Sequence, residues 1–133
     1  MKYLLSAPLL LSLKGKALSS PTPDLVVCSG ISPEGMLKEG LSALGGIEGF
    51  IRKGDHVLIK PNISWDRPPQ FAATTNPQLV ASLVRICLDA GARKVKVLDH
   101  TVEDPRRCYK RSGIMDEAKR AGAEVIYVNP RRF

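Results

Sequence analysis

"DAGARKVKV", residues 89–97, and "RAGAEVIYV", residues 120–128, decide the fold. Each runs from the end of a helix, through a glycine, into an apolar strand. Two such tails in one chain mark repeated helix–strand units, and repeated βα units imply a parallel sheet flanked by helices. Upstream of the first tail, Asn76-Pro77 provides an N-cap and a first-turn proline. Leu79, Val80, Leu83, Val84 and Cys87 then form one apolar stripe at helical spacing. Further upstream, "HVLIKPN" (56–62) reads as a strand stopped by Pro61, and "SPEGMLKEGLSALGG" as a helix capped by Ser32 and closed by Gly45-Gly46. "DLVVCSG" (24–30) is a short apolar run consistent with a buried first strand. Downstream, "DPRRCYKRSGIMDEAKRAGA" divides into two short helices near Gly113, and "EVIYVN" (124–129) is the last strand. The expected architecture is α/β, a Rossmann-like three-layer arrangement around a mainly parallel sheet of about four strands. So small a sheet has exposed edges, which makes a partner chain or a homo-oligomer an expectation too.

Bulk properties narrow the class. A chain of 133 residues fits one domain. With 44% hydrophobic and 25% charged residues, general disorder is excluded as a description. The net charge of +7 raises nucleic acid, anionic membrane surfaces and acidic small molecules as partners. The cations come in scattered pairs, among them Arg106-Arg107 and Lys110-Arg111, without aromatic residues interleaved for base stacking. They read as solvated helix faces and turns, and nucleic-acid binding is disfavoured. Cys28, Cys87 and Cys108 make no CxxC pair, so neither a structural zinc nor an iron–sulfur cluster is expected on this chain alone. Cys28 and Cys87 read as small hydrophobes, whereas the basic neighbours of Cys108 favour a thiolate. The start, "MKYLLSAPLLLSLKGKALSS", has a signal-like outline too short to span a bilayer, but Lys14 and Lys16 interrupt it. Residues 1–23 therefore read as a leader and linker before an α/β domain over 24–133. The expected compartment is the cytoplasm, with export left open.

One segment is out of proportion to a plain connector: "IKPNISWDRPPQFAATTNPQLV", residues 59–80. Ligands in open parallel sheets bind beyond the carboxyl ends of the strands. That rule selects Lys60, Pro61 and Asn62 after one strand, Asp99, His100 and Thr101 after the next, and Asn129 after the last. The loop carries Asp66 and Arg67 and delivers Thr74, Thr75 and Asn76 to a helix start, where unpaired N–H groups attract anions. Asn62, Asp66, Arg67, Thr74, Thr75 and Asn76 are the candidate ligand-binding residues for a phosphate or carboxylate. Lys60, Asp99 and His100 are the candidate catalytic residues, for proton transfer. A desolvated Lys60 would have a lowered pKa and serve as a base. A structural reading stands beside this one. Asn76 simply caps its helix, Thr74 and Thr75 bond to loop backbone, Lys60 reaches for water, and Trp65 and Phe71 pin the loop to the core. Asp99 with His100 lacks a third ligand, so no metal site is expected. Neither GxGxxG nor GxxxxGK[ST] occurs, and a standard nucleotide fold is not supported.

The run Ile59 to Asn62 ("IKPN"), Thr75 to Pro77 ("TNP"), Ala90 to Ala92 ("AGA") and the turn bearing Asp99 resembles the amino-terminal part of domain-of-unknown-function family number 362, from about Asp24 onward. The resemblance implies an α/β domain, often in prokaryotic proteins and commonly longer than this chain, so residues 24–133 correspond to the first portion of a family domain. Some members carry a ferredoxin-like iron–sulfur segment, whose cysteine motif is absent here. Members often begin with a twin-arginine export signal, and Met1 to Ser20 contains no arginine. The resulting functional expectation is an α/β domain that binds an anionic small molecule, with enzymatic activity left open and the cofactor unknown. The alternative is an accessory piece of a larger, iron–sulfur-linked redox protein acting through a partner.

Overall fold

The computed structural model describes residues 22–128. The leader up to residue 21 and Asn129, with the end of the last expected strand, lie outside the described residues. In chain order the elements are α1 (Pro33–Ala43), β1 (His56–Ile59), α2 (Pro77–Asp89), β2 (Lys94–Val97), α3 (Pro105–Arg111), α4 (Ile114–Arg120) and β3 (Glu124–Val125). The three strands form one parallel sheet in the order β1-β2-β3. His56 pairs with Lys94 and Ile59 with Val97, and Val97 pairs in turn with Val125. The α/β class with a parallel sheet is therefore as expected.

The echoed "AGA" has a physical basis in helix termination. At the end of α2, the Ala92 N–H donates to the Cys87 carbonyl and the Gly91 N–H to that of Leu88. At the end of α4, Ala123 donates to Ala118 and Gly122 to Lys119 in the same pattern. Both are Schellman caps, which place one residue in the left-handed region. Gly91 and Gly122 take φ of 97° and 103°, at which a side chain would be strained. Gly45 and Gly46 close α1 in the same way. Each cap turns the chain back toward the sheet, and the buried Ala92 and Ala123 lead into β2 and β3.

Strand alternation sorts the sheet into two faces. Ile59, Val95 and Val97 are buried, with Val57 and Val125 packed beside them. Against them lie Val80, Val84 and Cys87 of α2 and Ile114 and Ala118 of α4. Right-handed crossovers that march in one direction across a sheet put their helices on one face, and α2 packs on both α4 and α1. The opposite face carries Leu58, which is 58% exposed, and the polar His56, Lys94, Lys96 and Glu124. Among the described residues, two of the three expected layers are filled.

Among the described residues the sheet has three strands where about four were expected, and the difference lies at residues 24–30. Residues 24–30 pair with no strand among the described residues. Val26 and Cys28 are half-buried, and the Cys28 sulfur lies so close to Gly40 that a side chain on that residue would press on it. Leu25 and Val27 are instead 79% and 86% exposed. Apolar alternation alone does not make a strand, because the ladder needs a partner.

The core generates a direct test. Ile114→Ala removes a fully buried side chain between α4 and its neighbours and should cost about 2–5 kcal/mol in urea unfolding. Leu58→Ala, on the open face, should change stability by about 0.5 kcal/mol or less.

Candidate functional site

The loop of residues 60–76 lies over the carboxyl edge of the sheet, and Asp99 holds it there. Asp99 follows β2 and is 2% exposed. Its Oδ2 accepts the Ile63 N–H at 2.7 Å, and its Oδ1 pairs with Lys60 Nζ at 2.7 Å. A buried carboxylate requires this much compensation, since desolvating a charge costs several kcal/mol. The backbone of Asp99 is gripped as well. Its N–H donates to the Tyr109 hydroxyl at 2.6 Å, and the single hydroxyl proton is shared between the carbonyls of Asp99, at 2.9 Å, and Ile126, at 3.1 Å. Tyr109 on α3 thus ties together the ends of β2 and β3.

The rest of the loop is stapled by backbone. The Ser64 carbonyl accepts from Val102, Glu103 and the Cys108 thiol. The Asp66 N–H donates to the Glu103 carboxylate. At the far end, the Asn62 N–H donates to Thr75 Oγ1 and the Thr75 N–H returns to the Asn62 carbonyl, both at 2.9 Å. Trp65 and Phe71 are 45% and 68% exposed and do not pin the loop by burial.

Of the residues singled out in the sequence, Lys60, Asn62 and Asp99 come together: Lys60 Nζ also donates to Asn62 Oδ1, at 3.5 Å. Thr75 joins them through Asn62. Lys60 is 61% exposed at its side chain, so it is not the desolvated amine that a lysine base needs. His100 is exposed and lines a cavity of about 320 Å³ with Asp99, Glu103 and Asp104. Asn76 spends its side chain on the helix start, accepting from Gln78 and Leu79 at 2.8 and 3.2 Å. Pro77 has no N–H and those of Gln78 and Leu79 are taken by the cap, so the first three helical positions of α2 offer no backbone donor to an anion. A smaller cavity of about 170 Å³ lies between β1 and α2, lined by Lys60, Pro61 and Thr75 with the apolar Ile59, Leu79, Val80 and Leu83. Arg67 donates to the Asp66 carbonyl, and Thr74 is half-buried.

Asp66 is the residue whose setting the sequence did not reveal. It is 7% exposed, and its Oδ2 pairs with Arg107 Nη2 at 2.6 Å. The cations of α3 are exposed, as expected of a solvated helix face, and Arg107 in addition pairs with this buried carboxylate. Cys108 also differs from expectation. Burial, followed by the negative charges of Glu103 and Asp66, pushes its thiol above the ordinary value, against a thiolate. Arg107, adjacent in sequence, pairs with Asp66. Among the described residues, no group of three or more His, Cys, Asp or Glu side chains gathers as a metal site, and the three thiols do not form a cluster-binding set.

The fold and the edge define a parallel α/β domain with a long polar loop stapled over the strand ends. The chain belongs to the family described as Domain of unknown function (DUF362), which matches residues 57–133. It is also similar to the Thylakoid-associated protein sll1697 of Synechocystis sp., with 35% identity over 57 residues. That stretch is 43% of this chain and 18% of the relative, so the chain spans less than a fifth of the curated protein it matches. No solved structure matches. Among the described residues, no helix is long and apolar enough to cross a membrane.

The clamp has a pH signature. Burial raises Tyr109 and Cys108 above the ordinary 10.0 and 9.0, so the folded state keeps protons that the unfolded state has lost. Stability is then fully present below the ordinary values and falls as pH rises through them. Urea unfolding from about pH 8 to 11 should show this decline. Tyr109→Phe should cost about 1–3 kcal/mol at neutral pH, by stranding the Asp99 N–H, and should flatten the alkaline slope.

Proposed function

We propose that this domain binds an anionic small molecule, a carboxylate or phosphate, at the carboxyl edge between β1 and β2. The observation that carries this reading is the Lys60 ammonium. It is anchored by a buried carboxylate and an amide oxygen, remains more than half exposed, and sits at the rim of the 170 Å³ cavity. An ammonium has three donors, and two are engaged within the protein. The third is left for an oxyanion, and Thr75 lines the same cavity. The apolar remainder of that wall suits a ligand with a short hydrocarbon body. His100, on the other side of Asp99, is the group available for proton exchange with a ligand at this edge.

Residue-resolved amide shifts test this. Acetate or inorganic phosphate, added at constant ionic strength against chloride, should move the Lys60, Asn62 and Thr75 signals saturably. Lys60→Met, which keeps the apolar stem, should abolish the response. Signals at these three positions that follow ionic strength alone would sink the reading.

A second reading, association with a partner chain or another copy, is favoured by a different observation. Leu25, Val27 and Ile31 are 79%, 86% and 104% exposed within seven residues. Light scattering across a hundredfold range of concentration should show a mass above 14.5 kDa, reduced by Val27→Asp. A constant monomer mass would remove self-association.

A further inference from the structure

Residues 25–30, "LVVCSG", run without a turn between bends at Asp24 and Ile31. Cys28 lies beside Gly40 and Gly30 beside Met36, so the segment passes antiparallel along α1. Two residues here pass four of the helix, about 6 Å of its axis, which is the reach of extended chain. Cys28 turns toward the helix, and it and Val26 are half-buried. Leu25, Val27 and Ile31 are 79%, 86% and 104% exposed. This is the alternation of a strand with one face covered. What the segment lacks is a ladder. Among the described residues, the peptide groups of residues 25–30 neither donate nor accept a hydrogen bond within the protein. Such groups are nearly always paired in a folded chain unless water takes them.

Charge says which partner fits. The protein carries 20 lysines and arginines and a net charge of +7, so most of its surface repels a second copy. Between Lys16 and Lys38 the sequence has no lysine or arginine. The edge strand β1 is bordered instead by Arg52 and Lys53 before it and by Lys60 after it, and cations of this kind keep strand edges apart. Residues 25–30 contain neither charge nor proline, and Leu25 to Cys28 are all apolar, a composition that favours pairing of like segments. A second copy of this chain therefore meets least resistance at this segment.

We propose that residues 25–30 are a dimerisation strand, which pairs antiparallel with the same segment of a second copy about a two-fold axis near Val27. The inference rests on the association reading above and gives it a partner and a geometry. A patch that contacts itself closes at two copies. A two-fold axis perpendicular to the strand pair sets odd-numbered residues opposite odd-numbered ones. Val27 then meets its own counterpart with Leu25 diagonal to it, while Val26 and Cys28 stay on the side of the two α1 helices. The free peptide groups of each copy supply the ladder for the other. The fold need not rearrange, because among the described residues the segment's backbone is bonded to nothing in its own chain.

Light scattering and residue-resolved amide exchange on the full chain, over a hundredfold range of concentration, test the assignment. Reductant is present throughout, so that Cys28 cannot cross-link. The mass should rise from 14.5 kDa toward twice that value, and amides of residues 25–29 should exchange at least tenfold more slowly at the top of the range. Neighbouring residues of a strand direct their N–H groups to opposite edges, so one of Val26→Pro and Val27→Pro removes a donor from the ladder. That variant should raise the midpoint concentration of dimer formation at least tenfold, while both variants melt as cooperatively as the parent in dilute solution. A constant monomer mass would overturn the proposal together with the association reading. A dimer that neither proline disturbs would leave association standing and overturn the strand. So would a mass that climbs past two copies. Slowed exchange at His56 and Leu58 in place of residues 25–29 would overturn it in favour of the β1 edge.

Discussion

A carboxylate taken out of water must be supplied with donors, and the way Asp99 collects them organises this domain. One oxygen takes a backbone N–H from the long loop, the other takes the Lys60 ammonium from the end of β1, and the Tyr109 hydroxyl holds the peptide groups on either side. Two stretches that are distant in sequence, residues 60–63 and α3, thus meet on a single residue at the strand ends. The helices on one face provide the apolar burial, but nothing in that layer would make so polar a loop lie down. A neutral residue in place of Asp99 would leave the Ile63 N–H buried without an acceptor and the lysine without its anchor.

The same loop separates two kinds of positive charge. Toward α2 it presents one ammonium beside apolar side chains, a point charge on a flexible stem. Toward α3 it presents a carboxylate to four cations, three of them planar guanidinium groups. The net charge of +7 sits on solvated faces, as its scattered pairs suggest, but not evenly. Part of it is gathered by folding, because residues four apart on α3 share a stripe and Asp66 draws that stripe inward.

Much of the fold was legible because it is written in local terms. Ser32-Pro33, Asn76-Pro77 and Asp104-Pro105 each combine a side-chain cap with a residue that needs no donor, and all three open helices. The glycines at 91, 113 and 122 end or divide helices where their positive φ is required. Residues 24–30 misled because strand identity depends on a neighbour that no local pattern names. The candidate site was legible by position and not by partnership. Lys60, Asn62 and Asp99 were found by the rule for strand ends, yet the engagement of Asn76 with its own helix and the exposure of Lys60 come from tertiary placement. Asp66 was singled out with the loop, but its pairing had no local signal, since its partners Arg107 and Arg111 lie about forty residues on.

The staples across the loop carry a consequence for how the domain comes to be folded. Ile63 and Asp66 bond to residues 36 and 37 positions later in the chain. Contacts of such separation require loop closure to be met before they give any return, and chains rich in them fold slowly. Residues 60–66 therefore acquire their shape only after β2 has docked and Asp99 is in place. The α2 helix, with its cap and proline adjacent in sequence, needs no such wait. Assembly of the carboxyl edge is then a late event by construction, and the segment that carries the candidate ligand groups is the one whose order is inherited from the rest.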